Sequence, residues 1–300
     1  MSRGADRTGR PAILVPGQLV SAEPGFLRGH GTYTAESEEG TSQLVASVAG
    51  VVESINKLIT VRPVKSRYIG EVGDLVVGRI TDVANKRWKV DLRAHKDAVL
   101  ALSSVNLPGG VQRIRTYEDQ LQMRTFYAEN DLISAEVQQI MNDGSIALHT
   151  RSLKYGKLEN GQLLVVPQVL VRRLRQHNVS LPVGVDVILG TNGYIWITRS
   201  IPQEWKEQGR ESEGDGMVTS ESEALMRQRR LHAETPIQRS DRELICRVRN
   251  SICALRHVLA FISAESIMHV YRESERLGLE PKDMLQDDSI WRLTEALGRT

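Results

Sequence analysis

Between Arg67 and Val90 the chain reads RYIGEVGDLVVGRITDVANKRWKV, and no other stretch restricts the fold so tightly. Apolar Val72, Leu75, Val77, Ile80 and Val83 are interrupted by Gly70, Gly73 and Gly78. Short β-branched runs bent at glycines specify a small, strongly coiled β-barrel. The run ends in Lys86-Arg87-Trp88-Lys89, an aromatic set among cations. Barrels of the OB type hold single-stranded nucleic acid by offering an aromatic plate beside positive charge. On these residues alone two roles for Trp88 stay open, an exposed stacking surface or a plug of the barrel interior.

Charge along the chain is sorted rather than spread. The 300 residues carry a net charge of only +2, which excludes a uniformly cationic coat for nucleic acid. Residues 78–96 carry +4 and residues 151–175 carry +5, whereas residues 203–223 carry −5. Such sorting presents different faces to different partners. The length suits two or three domains, each able to bury a core. Cys246 and Cys253 stand seven apart in a predicted helix, about 10 Å along its axis and too far for a bridge. Both are expected to be buried small hydrophobes in a reducing compartment. No apolar run approaches the roughly 20 residues of a membrane span, and the N-terminus lacks a signal-peptide core. A nuclear or cytoplasmic protein without membrane contact is expected.

The pattern predicts a multidomain α+β chain. Residues 1–12, rich in Gly and Arg, are expected to be a disordered tail. Residues 13–66 alternate short strands with glycine turns and form a small β-rich N-terminal domain that buries little by itself. Residues 67–158 form the OB-fold barrel. Its later parts are the apolar strand 98–105, a turn signal at Leu107-Pro108-Gly109-Gly110 and a helical stretch over 115–127 capped by Thr116. A hairpin follows, with 132–140 and 145–149 on either side of Asn142-Asp143-Gly144. Residues 159–300 read as a KH-like α+β domain with C-terminal helices and an acidic mobile insertion at 203–223. Within it are a short helix over 168–176 and strands over 185–189 and 194–197. From Asp241 onward Leu244, Ile245, Val248, Ile252 and Leu255 recur at helical spacing, with Ser240 or Asp241 as cap and Gly278 as a stop.

Gly190-Thr191-Asn192-Gly193 has the GxxG spelling of the KH loop that clamps a nucleic-acid backbone. It lies between two predicted strands instead of two helices, so a structural hairpin turn is the favoured reading. Arg28-Gly29-His30-Gly31-Thr32-Tyr33 lacks the Lys-Ser/Thr of a P-loop and no long helix follows, which argues against a nucleotide cradle. The seven histidines show no ligand spacing with Cys, Asp or Glu, so no metal or other cofactor is expected. Neither a G-x-S-x-G elbow nor a carboxylate cluster of the two-metal type is present, and no catalytic residue is assigned. Arg151, Lys154, Tyr155 and Lys157 form a basic run past the last barrel strand, readable as a linker, as an RNA contact or as both.

Specific stretches carry a resemblance: GFLRGHGTY at 25–33, SVAGVVESINKLITV at 47–61, RYIGEVGDLVVGRITDV at 67–83, DGSIALHTRSLKYGKL at 143–158 and ILGTNGYIWI at 188–197. Over residues 13–201 the chain resembles the ribosomal RNA-processing protein four family, cap subunits of the eukaryotic RNA exosome. The resemblance implies a non-catalytic subunit set on a six-membered ring of RNase PH-like proteins beside two other cap subunits. Its S-one barrel would line the entrance through which single-stranded RNA threads for 3′-to-5′ processing, as in rRNA maturation and RNA turnover. Associated ribonucleases and helicase cofactors would be met indirectly, in the nucleus, nucleolus and cytoplasm. Carried onto this sequence, the RNA-facing residues are Arg79, Lys86, Arg87, Trp88, Lys89, Arg151 and Lys154. Arg28, His30 and Tyr33 would serve partner docking. Two other readings compete, a structural brace without RNA contact and a stand-alone RNA-degrading enzyme.

Overall fold

The computed structural model describes residues 13–21, 25–36, 40, 42–63, 66–105, 117–152, 154–200 and 229–295. The predicted tail at 1–12, the 107–110 turn, the Thr116 cap and the acidic insertion at 203–223 fall outside them. Two compact units are present, residues 1–67 and 68–300.

In the first unit, β1 (Ile13–Leu14), β6 (Gly50–Ile55), β7 (Leu58–Pro63) and β3 (Leu27–Arg28) form one sheet. Strands β2 (Leu19–Ser21), β5 (Ser42–Ala46) and β4 (Thr32–Glu36) form another. The core is small: Leu14, Ala46 and Val61, with Val20, Val48 and Val52 around them. The glycines of the Arg28–Tyr33 run have a packing cause. Strand β3 lies parallel to β7, Gly29 N–H donates to Ile59 O and Val61 N–H donates to His30 O, both at 2.9 Å. A Cβ at Gly29 or Gly31 would collide with the Ile59 or Val61 carbonyl. The motif lets two backbones touch.

The second unit begins with the barrel. Strands β8 (Leu75–Ala84), β9 (Arg87–Asp91), β10 (Ala98–Val105), β11 (Leu132–Ile140) and β12 (Ile146–Thr150) close through β10–β12 and β11–β12 pairing, and β13 (Gly156–Leu158) extends the sheet beyond β11. Gly144, at φ +80°, makes the hairpin turn between β11 and β12. Gly78 faces the interior of the barrel, where any Cβ would meet Val90 and Leu92. The short helices α1 (Tyr117–Leu121) and α2 (Met123–Phe126) precede β11.

A second sheet follows in the order β14 (Gly161–Val165), β17 (Tyr194–Arg199), β16 (Val185–Leu189), β15 (Asn178–Leu181), all antiparallel. Only a single 3-10 turn, Gln168–Leu170, stands where the longer helix over 168–176 was expected. Pro167 opens that turn, and Val171 is already extended and bridged to Ile262. Helices α3 (Arg239–His257), α4 (Ala264–Arg276) and α5 (Asp287–Thr294) complete the unit. Helix α3 starts two residues before the expected position, on Gln238 in extended conformation and without a side-chain cap. Ser263 and Ser266 close a reciprocal capping box on α4, and Gly278 at φ +65° lies just past its end.

Ile245, Val248, Ile252 and Leu255 of α3 pack with Ile267 and Val270 of α4 onto Val185, Val187, Leu189, Ile195 and Ile197. That face of the sheet is the main core. The opposite face sends Tyr194 and Trp196 against Val77 of the barrel, with Leu132, Leu158, Leu163 and Ile188 alongside. A strand buried on both faces reads as an unbroken apolar run, which explains Tyr194-Ile195-Trp196-Ile197. Cys246 is exposed, contrary to the expectation for both thiols, because it falls on the outer side of α3; Cys253 is half-buried and both are free. No helix among the described residues is long and apolar enough to cross a membrane.

Candidate nucleic-acid interface

The outer face of β8, β9 and β10 gathers the cations that the sequence singled out. Successive strand residues point to opposite sides, so Arg87 and Lys89 face outward while Trp88 and Val90 face inward. Arg79 lies opposite Asp91, Lys89 lies between Asp82 and Val99, and Arg87 lies between Ala84 and Ala101. Small neighbours on both sides leave the Arg87 guanidinium uncovered. Lys86 occupies the β8–β9 turn at φ +58° and is exposed. Lys89 is ion-paired with Asp82 at 3.0 Å, whereas Arg79, Lys86 and Arg87 have no salt bridge among the described residues. Three free cations on one turn and two neighbouring strands suit a phosphate backbone.

Trp88 is not part of this surface. Its side chain is 0% exposed, it packs edge-on to Tyr127 at 5.4 Å between ring centres, and its Nε1–H donates to Tyr127 O at 2.9 Å. An indole with its one polar group satisfied inside the core cannot stack on a base, so the stacking assignment for Trp88 is corrected to the barrel plug. Its position on β9 settles the matter, since it shares a face with Val90. Among the described barrel residues the most exposed aromatic is instead Tyr117 on α1, 72% exposed. The sequence reading missed it because it stands alone, outside any strand pattern.

The other assigned residues are scattered. Arg151 and Lys154 are exposed in the link between β12 and β13, outside strands β8, β9 and β10. In the first unit Arg28 is exposed on β3, His30 is exposed in the turn that follows and Tyr33 is 42% exposed on β4. Around them Ile13, Leu19, Leu27, Ile55 and Leu58 are also exposed, a high apolar load for so small a core.

Gly190-Thr191-Asn192-Gly193 forms the β16–β17 hairpin turn, with Gly193 at φ +82°. Strand β9 pairs with residues 79–84 of β8, so residues 75–77 have a strand neighbour only on the β11 side. The turn fills that gap. Thr191 N–H and Oγ1–H donate to Leu75 O, both at 3.0 Å. Asn192 Nδ2 donates to Val77 O at 2.7 Å and to Leu92 O at 3.2 Å, and its Oδ1 accepts from Val77 N–H at 3.4 Å. Asn192 is 1% exposed, and neither glycine has space for a Cβ. A loop so occupied joins the barrel to the second sheet, and its two polar side chains are spent on that join.

A charged network reinforces the same seam. Buried Asp74 accepts from Tyr68 OH at 2.7 Å, Arg173 Nε at 2.9 Å and Glu71 N–H at 3.0 Å. Burial works to raise its pKa, but the hydrogen bonds from Arg173, Tyr68 and Glu71 outweigh it and hold the carboxyl below its usual value. Burial first, then the Asp74 contact, pushes the Tyr68 hydroxyl up.

Comparison with known proteins adds three domain matches. The family model "RRP4, S1 domain" matches residues 67–139, "KH domain" matches 161–203, and "Exosome complex exonuclease RRP4 N-terminal region" matches 13–55. The chain is 44% identical over 288 residues to "Exosome complex component RRP4" of Bos taurus, covering 96% of this chain and 89% of the relative. It is 53% identical over 194 residues to its counterpart in Schizosaccharomyces pombe, covering 65% of this chain and 57% of the relative. With the Pyrococcus furiosus counterpart it shares 30% identity over 199 residues, covering 64% of this chain and 71% of the relative.

Proposed function

Because this chain belongs to the RRP4 family of exosome complex components, we propose that it is a cap subunit that guides single-stranded RNA toward the degrading machinery without cutting it. The observation that carries the RNA contact is the outer face of β8 and β9, where Arg79, Lys86 and Arg87 stand exposed and without salt bridges among the described residues. With the indole buried, contact runs through phosphates and through the flat Arg87 guanidinium, which stacks on bases without reading them. Binding is therefore sequence-tolerant and salt-dependent. The apolar rim of the first unit, with Arg28, His30 and Tyr33 among it, is where ring and cap subunits dock. Helicases and ribonucleases are met through the assembly.

Titration of labelled poly(A) into the wild type and an Arg79→Ala, Arg87→Ala variant at several salt concentrations tests the RNA contact. Two lost phosphate contacts reduce the slope of log affinity against log salt by about 1.4, at roughly 0.7 per contact for single strands. Equal affinities and slopes would leave the brace reading in its place. Incubation of the purified chain with RNA and Mg²⁺ or phosphate tests the non-catalytic part, and shortened RNA would contradict it.

A further inference from the structure

A cleft of about 230 Å³ opens at the seam between β13 and the outer face of the second sheet. Two cross-strand rows make its floor. Asn178, Ile188 and Trp196 lie side by side on β15, β16 and β17, and Ser180, Asp186 and Thr198 form the adjacent row. One row is therefore mainly apolar and the other consists of hydroxyls and a carboxylate. The Asn178 Oδ1 atom is buried and makes no hydrogen bond. An orphaned acceptor of this kind calls for a donor. Asp186 uses Oδ1 for the Ser200 hydroxyl at 2.5 Å. At the mouth Lys157 is already engaged by Asp131 and Glu159, whereas Lys154 is exposed and has no salt bridge among the described residues.

We propose that this seam cleft takes a single ribonucleotide of a bound RNA strand, with ribose or base donors at Asn178 and Asp186 and a phosphate at Lys154. The proposal rests on the RNA-binding reading above and extends it to a second place on the molecule. Its chemistry separates it from the alternatives. An acidic peptide would face Asp186 and Glu159, and a basic one would face Lys154 and Arg229. A ribonucleotide offers hydroxyl and amino donors at one end and an anion at the other, matching acceptors on the floor and a cation at the rim. The volume is below the roughly 300–1,000 Å³ of usual ligand pockets, so it admits one unstacked nucleotide and excludes a duplex or a helix. Burial holds the His232 imidazole beside the floor below its ordinary pKa, so it adds no charge there at neutral pH.

Photocross-linking of 4-thiouridine-substituted oligouridylate to the 300-residue chain, followed by peptide mapping, is the test. Cross-links are expected in peptides spanning residues 178–199. Ser180→Phe fills the cleft from an exposed position and is expected to abolish them and weaken binding about tenfold, the scale of one nucleotide contact. Asn178→Leu removes the orphaned acceptor, so it is expected to weaken RNA binding without lowering thermal stability, a combination that a purely structural role would not give. Cross-links confined to the barrel strands, with full affinity in both variants, would overturn the cleft site and leave the barrel contact standing. Failure of the wild type to bind the oligonucleotide at all would overturn both.

Discussion

Replacing Asn192 with alanine removes three hydrogen bonds that reach from the β16–β17 turn to Val77 and Leu92 of the barrel. All the groups concerned are shut off from water: Asn192 is 1% exposed, Val77 0% and Leu92 1%. Each such bond contributes about 1 kcal/mol net, and stranded buried backbone groups add to the deficit, so the loss is about 2–4 kcal/mol. For a unit of this size that lowers Tm by roughly 4–16 °C. Asn192→Asp should cost at least as much, because a carboxylate cannot donate to the Val77 and Leu92 carbonyls and faces them with lone pairs. Urea denaturation of the wild type and both variants measures the change, and hydrogen exchange at residues 75–77 locates it. A loss below about 0.5 kcal/mol would show that water replaces the side chain without cost and that the turn does not lock the seam. A large fall in poly(A) affinity with stability unchanged would restore the clamp reading.

Trp88→Ala should destabilise the barrel by about 3–5 kcal/mol, as the loss of a fully buried large aromatic, while Trp88→Phe should cost less; denaturant midpoints decide, and an unchanged midpoint for the alanine variant would contradict the burial. Because the folded pKa of Asp74 lies below its unfolded value, the stability it contributes is fully present above about pH 4 and is lost as pH falls through the folded value. Asp74→Asn should therefore be less stable than wild type at pH 7, with the gap closing toward pH 2 in thermal melts; a gap independent of pH would refute the charge argument. Gly193→Ala places a Cβ against the Val166 carbonyl at φ +82°, and should destabilise by about 1–3 kcal/mol or more, read by the same melts.

Much of the architecture was legible because local chemistry acts over a few residues. Asn142-Asp143-Gly144 makes its turn with Gly144 at φ +80°, and the 3-and-4 spacing of Ile245, Val248, Ile252 and Leu255 places one face of α3 on the sheet. The cationic residues 79, 86 and 87 were legible as a surface for the same reason. Trp88 was misplaced when it was grouped with its sequence neighbours, Arg87 and Lys89. In a strand the neighbours that share a face are two apart, and Val90 was the informative one.

What the sequence alone determined, then, is whatever a periodicity or a turn residue enforces within one element: strand faces, hairpin turns, helix stripes and stops. Only the tertiary structure decided what each finished face would meet. Asn192 and Val77 are separated by 115 residues, as are Tyr68 and Thr191 by 123. The strands on either side of the G-x-N-G spelling favoured a hairpin turn over a clamp, but nothing in the spelling said what that turn would meet. The deciding quantity is the unpaired edge of β8 at residues 75–77, which exists only after β9 has ended its pairing and the barrel has closed. Its exposed carbonyls and amides required a partner, and the fold brought the turn to them.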